Sequence, residues 1–186
     1  MSISKGNWKL YVIIGVSALF VILTCVFIAN SFKNYAINLE EQIETAKSDI
    51  KVQEKRRANL IPNLVDCVKN YNEYEYQTLM DVISSRNLNN DNDVEEVKDM
   101  INITAEAYPE LKSSENYRQL MTELSTTENL IAEYRSNYNK QVKEYKRYVR
   151  KFPNKQFLNL TGYEVLEYDY LDYDVSSDAP TNLFGE

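Results

Sequence analysis

Residues Leu10–Ala29 read LYVIIGVSALFVILTCVFIA, twenty in a row without a charge. At ~1.5 Å per residue, a helix of this length spans the ~30 Å hydrocarbon core of a bilayer. A core helix of a soluble domain would carry a polar stripe, and this segment has none. A cleaved signal peptide usually has an apolar region of ~7–15 residues and a small-residue cleavage site, which does not follow here. Ile22-Leu23-Thr24-Cys25 weakly resembles a lipoprotein cleavage site, but Thr24 is bulky before the cysteine and apolar residues continue beyond it. The expectation is a retained single-pass membrane helix.

Lys5, Lys9 and the amino terminus precede this segment, and Lys33 and Lys47 follow it beside Glu40, Glu41, Glu44 and Asp49. Basic residues near the helix ends nearly balance. Lys9 and the free amine favour a cytoplasmic N-terminus, which places the following domain outside the membrane. The chain contains no histidine, which removes the commonest general base and metal ligand. The two cysteines, Cys25 and Cys67, imply a domain without disulfides, and none of the four glycines belongs to a phosphate-cradling loop. The net charge of −7 belongs to the end of the chain: seven of the 28 acidic residues follow Gly162, and no Lys or Arg does.

Beyond the apolar segment the rhythm becomes helical. Leu39, Ile43, Ala46 and Ile50 share one face, and a polar stretch from Lys51 to Asn59 follows. Two readings of that stretch are a turn near 57–60 and a single long helix kinked at Pro62. The polar run favours the turn, with Asn59 as a cap and Pro62 in the first turn of a new helix. Leu60, Leu64, Val68, Tyr71, Leu79, Val82 and Ile83 then carry that helix to about Ser85. Arg86 to Asp93 reads as a loop. Asp93 is the expected cap of a third helix, whose stripe is Val94, Val97, Ile101 and Ala105, and Tyr108-Pro109 ends it. Ser113 and Ser114 are candidate caps of the last helix. Its stripe runs Tyr117, Met121, Leu124, Glu128, Ile131, Tyr134, Tyr138, Val142, Tyr145, Val149 and Phe152 until Pro153. That is roughly 37 residues and ~55 Å, and such a stripe must face other helices.

Several stretches resemble the LemA family. They are Lys55-Arg56-Arg57-Ala58-Asn59-Leu60-Ile61-Pro62-Asn63-Leu64-Val65 with Val52 and Gln53 ahead of it, and Ala107-Tyr108-Pro109-Glu110-Leu111-Lys112 with Asn116, Tyr117 and Leu120. Glu123-Leu124, Glu128 to Ala132, Arg135 and Tyr138-Asn139 are similar to the family's last-helix pattern, and Phe152-Pro153 and Gly162-Tyr163 to its end. Order and spacing agree from about residue 35 to 165, behind a short flank and a membrane helix. Glu40-Glu41-Gln42 departs from the Arg or aromatic residues often found early in the first soluble helix, and the Tyr/Asp tail looks particular to this chain. The resemblance implies a membrane-anchored up-and-down helical bundle with no catalytic activity attached to it.

The expected architecture is therefore all-α: a flank (1–9), a transmembrane helix (10–29), an antiparallel bundle of four-helix type with long helices (30–160) and an acidic tail (161–186). Helix phase carried through the polar stretch brings Gln53 and Arg57 onto the seam, while Glu128 interrupts the last stripe. A buried polar layer of Gln53, Arg56, Arg57 and Glu128, setting register, is one reading, and solvated groups beside a turn are the other. Lys140, Lys143, Lys146, Arg147, Arg150, Lys151 and Lys155 face a single acid, Glu144. They read either as cations complementing a helix C-terminus or as an anion patch for lipid headgroups, an acidic partner or the chain's own tail. Tyr168, Asp169, Tyr170, Asp172, Tyr173 and Asp174 are candidate docking residues in a weakly ordered tail; they lack the glycine and final Glu of a calcium loop. The functional expectation is a non-enzymatic scaffold or adaptor, with a protein partner or self-association and the membrane as its contacts. A regulatory subunit of a membrane enzyme is the second expectation. Nucleic acid, a small-molecule substrate, a cofactor and a metal are not expected.

Overall fold

A computed structural model describes residues 5–171, which form six helices and, among the described residues, no strand. The first helix, α1 (Lys5–Lys69), runs 65 residues without a break. Its apolar stretch, from Trp8 to Ile28, exposes apolar side chains on every side. By length and composition it can cross a membrane, with a mean hydropathy of 2.9 in its most apolar window. The polar side chains in this stretch turn back onto the helix. Ser17 donates to the Ile14 carbonyl at 2.9 Å and Thr24 to the Phe20 carbonyl at 2.8 Å. Neither hydroxyl then needs a partner from outside the helix.

The expected turn near 57–60 does not form, and α1 passes through it with Pro62 inside the helix. Proline removes the hydrogen bond to the Ala58 carbonyl and costs about 3 kcal/mol in a free helix. Here Leu60, Ile61, Leu64 and Val65 are buried on either side of it. Fixing those four side chains in one core outweighs the lost bond.

The chain divides into two compact units. The first takes in residues up to Glu40 and again from Asn139. In it, α1 pairs antiparallel with the end of α5 (Glu115–Arg150), because Tyr148 lies beside Phe32 and Tyr35 while Tyr145 reaches Glu40. Ala29, Ala36, Leu39, Val142, Tyr145 and Val149 are buried there, with Leu158 of α6 (Asn154–Leu160). The ring of Phe157 stacks on Phe32 with centroids 4.9 Å apart. Gly162 closes α6. Its φ of 63° is left-handed, and the amides of Gly162 and Tyr163 donate to the Asn159 and Leu158 carbonyls at 3.2 and 3.0 Å. This paired-bond helix ending needs a residue without a Cβ at that place.

The second unit runs from Glu41 to Tyr138. Leu60, Ile61, Leu64, Val65 and Val68 of α1 pack with Leu79 and Ile83 of α2 (Glu73–Ser85), and with Val94, Val97 and Ile101 of α3 (Asp91–Ala107). Leu111 of α4 (Pro109–Ser113) and Tyr117 and Leu124 of α5 complete this core. The boundaries differ from the sequence expectation in three places. The helix expected to continue to Ser85 breaks at Asn70–Asn72, where the Asn72 side chain caps α2 through the Tyr74 and Glu75 amides at 2.9 and 3.3 Å. Asn90, not Asp93, caps α3, holding the Asn92 and Asp93 amides at 3.0 and 3.2 Å. Asp93 instead accepts from the Asn87 amide. The short helices α4 and α6 follow Pro109 and Pro153, which local pattern marks only as stops.

Candidate functional site

In the second unit, the polar stretch of α1 meets α3 and α5 in a network of charges. Arg57 is wholly buried, and its Nη1 lies 2.8 Å from Asp91 and 3.4 Å from Glu128. Arg135 bonds Asp91 as well and reaches Glu54 at 2.9 Å. Arg56 lies outside this group, pairing with Glu123 at 2.6 Å where both side chains are more than a third exposed. Such a surface pair contributes at most ~1 kcal/mol. Gln53 borders the layer with its Oε1 buried, although no bond joins it to Arg57 or Glu128.

Glu128 is not itself on the seam. Thr127 is fully buried and Glu128 lies at the edge, its side chain 31% exposed. Spacings of three and four residues from Leu124 fit a stripe equally well, and the threonine takes the inner place because its hydroxyl bonds the Glu123 carbonyl at 2.8 Å. Glu128 is thereby left able to meet both Arg57 and water. Glu54, Asp91 and Arg135 were not among the residues expected in the polar layer. Arg135 stands one heptad after Glu128, which a helical face would have shown. Asp91 comes from a segment read as loop, where no periodicity points to a partner.

The network is incompletely satisfied: Arg57 Nε and Nη2, Gln53 Oε1 and Glu128 Oε1 are buried without a hydrogen-bond partner in the protein. Each such atom costs about 1–3 kcal/mol, so the layer is expensive to bury. Burial works against ionisation of Asp91, yet hydrogen bonds from Arg135 and Arg57 prevail and hold its carboxyl below the usual 3.8. A depressed carboxyl stabilises the fold fully above its ordinary pKa, and that contribution is lost as pH falls through the lowered value. Asp91→Asn is expected to flatten the loss of stability below about pH 4, read from unfolding midpoints of both proteins along a pH series. An unchanged acid limb would show that Asp91 is not its source.

In the first unit, a second cluster joins α1, α5 and the extended segment after Gly162. Tyr163 donates to Glu40, and the Tyr145 hydroxyl lies 3.1 Å from Glu40 and 3.0 Å from that of Tyr163. Burial, then the bond to Glu40, pushes the Tyr163 phenol well above its ordinary value, and burial raises Tyr145 too. Both therefore remain protonated donors. The Leu166 amide donates to the Tyr145 hydroxyl at 3.0 Å, and Asn139 exchanges two bonds of 2.8 Å with the Leu171 backbone. Tyr168 meets Tyr145 edge-on with centroids 5.4 Å apart, and the Lys146 ammonium stands 4.5 Å from the Tyr170 ring. The tail expected to be weakly ordered is thus strapped along α5 as far as Leu171. Of its candidate docking residues, Tyr168, Asp169 and Tyr170 lie in this strap, whereas Asp172, Tyr173 and Asp174 fall outside the described residues.

The basic residues do not all line one groove. Lys140, Lys143, Arg147 and Lys151 line a groove of about 1040 Å³ together with Glu144, while Lys146 is turned to Tyr170 and Arg150 and Lys155 lie elsewhere on the surface. The opposite wall is Phe27, Ile28, Phe32 and Tyr35 of α1. Phe152, expected to extend the buried stripe, is 75% exposed at the same groove. Among the described residues, no group of His, Cys, Asp or Glu is arranged to hold a metal ion.

These features can be set beside known proteins. Protein LemA of Metamycoplasma hominis is 30% identical over 136 residues, which cover 65% of this chain and 62% of that protein. The chain therefore spans less than two thirds of that relative's length. The family model described as LemA matches residues 46–181, from the middle of α1 through the strap, which is well over half of the chain. The chain belongs to the LemA family.

Proposed function

We propose that this protein is a single-pass, membrane-anchored scaffold or adaptor without catalytic activity of its own. One observation carries the proposal. The apolar, outward-facing stretch of α1 and the buried stripe that begins at Ala29 belong to one unbroken helix. An anchor built this way holds helix faces and the strapped segment at the membrane surface, where they offer recognition by complementary faces. The N-terminus is cytoplasmic in this proposal and the helical units lie outside, on the strength of Lys9 and the amino terminus.

In-membrane crosslinking followed by affinity capture, with the full chain and with a version ending at Gly162, tests it. Copies of the chain, or one defined non-enzymatic partner, are expected in the captured material. A fixed-stoichiometry complex with a membrane enzyme would replace this reading by that of a regulatory subunit. Recovery of the uncrosslinked single chain alone would remove the scaffold altogether.

A further inference from the structure

The groove of the first unit joins two chemistries that rarely meet on a soluble surface. One wall begins on the apolar stretch of α1: Phe27 is 78% exposed and Ile28 40%, and both line the groove. The other wall is a row of cations. Lys140, Lys143, Arg147 and Lys151 follow one another by three and four residues, which sets them along one face of α5. All four are exposed and have no ion pair among the described residues. Glu144 is the single acid of the lining, so a strong cationic excess remains.

We propose that this groove seats one anionic phospholipid, its acyl chains against Phe27 and Ile28 and its phosphate among Arg147, Lys151 and their neighbours. The proposal rests on the anchoring reading above and names a ligand for it. Arg147 presents a planar fork that matches two phosphate oxygens, and the lysines supply point charges around it. An occupant that is apolar at the depth of Phe27 and anionic a turn or more higher has the make-up of a bilayer lipid. The chain's own acidic tail is a poorer fit, because DYDVSSDAPTNLFGE after Leu171 carries carboxylates but no apolar run longer than two residues to cover Phe27 and Ile28.

Native mass spectrometry of the full chain in detergent tests the proposal, with palmitoyl-oleoyl phosphatidylglycerol or phosphatidylcholine titrated in. One phosphatidylglycerol is expected to bind at least about tenfold more tightly than phosphatidylcholine. Arg147→Gln with Lys151→Gln is expected to abolish that preference. Arg150→Gln with Lys155→Gln removes the same charge outside the groove and is expected to preserve it. Soluble glycerol phosphate is expected not to compete, since it lacks the acyl chains.

Equal loss in both double variants would reduce the effect to diffuse charge and overturn the site. Equal binding of the two lipids would do so too. Competition by glycerol phosphate would make the groove a phosphate site instead. Phosphatidylglycerol uptake appearing only after removal of residues 172–186 would make the tail the occupant. Alkaline extraction separates this proposal from the one beneath it. A chain released from the membrane defeats the anchor, whereas a chain that is retained but shows no lipid preference defeats only the lipid site.

Discussion

Neutralising the acids around Arg57 is expected to destabilise the second unit far more than removing Arg57 itself. Asp91→Asn with Glu128→Gln keeps the shapes of both side chains but leaves a guanidinium, 1% exposed, without the two carboxylates it now meets. Breaking a buried ion pair in this way costs about 3–5 kcal/mol. The lower end applies here, because the new amides still accept hydrogen bonds. Arg57→Met is the opposite experiment. It keeps an unbranched chain in the core and removes the buried charge together with its unpartnered Nε and Nη2. Of the carboxylates it abandons, Asp91 keeps Arg135 and is 52% exposed, while Glu128, 31% exposed with its Oε1 already unpartnered, loses Arg57; the removal of the buried guanidinium offsets that loss. A change within about 1 kcal/mol of neutral is expected. Denaturant midpoints of the full chain in detergent, at constant m-value, decide the matter. Should Arg57→Met cost as much as the double variant, the layer would depend on the packing of the arginine stem and not on its charge.

Tyr145→Ala is expected to have the second large effect, and to have it in the first unit. Tyr145 is fully buried, so the truncation leaves a cavity where α1, α5 and the strap meet, at a cost of about 3–5 kcal/mol. It also deprives the Leu166 amide of its acceptor and Tyr168 of the ring it packs on. Tyr145→Phe separates the two contributions. The ring and its contact with Tyr168 remain, only the hydroxyl bonds are lost, and about 1–2 kcal/mol is expected. Hydrogen exchange measures both. The Leu166 amide should lose protection in either variant, while the Leu171 amide, held by Asn139, should stay protected in Tyr145→Phe. If Leu166 remained protected in Tyr145→Phe, the tyrosine hydroxyl would not be what holds the strap.

Much of the architecture could be read from local pattern. Leu10–Ala29 carries no polar stripe, so no face of that helix is suited to water, and its side chains are exposed nearly all round. The stripe of α5 was legible because a long helix repeats its burial every three or four residues; Tyr117, Leu124, Ile131, Tyr138, Val142, Tyr145 and Val149 all lie inside. Proline at 109 and 153 marked two breaks correctly, since the residue before proline avoids helical geometry. The cap at Asn72 was equally local and could have been found from the Asn-Tyr-Asn-Glu sequence.

What tertiary structure decided were the places where the partner lies far away along the chain. The polar stretch from Lys51 to Asn59 argues for a turn on local grounds, yet it stays helical because Arg57 finds carboxylates 34 and 71 residues further on. Whether Thr127 or Glu128 turns inward is undecided by spacing and is settled by which of them can satisfy its polar atoms when buried. The segment from Tyr163 to Leu171 is acidic and rich in tyrosine, a composition that argues for disorder only while Glu40, Asn139 and Tyr145 are out of view. Backbone preference acts over a few residues, so it determined the longer helices and such ends as those at Ser85, Ala107 and Arg150. Burying a charge or tying down a strap depends on groups that only the folded chain brings within hydrogen-bond reach.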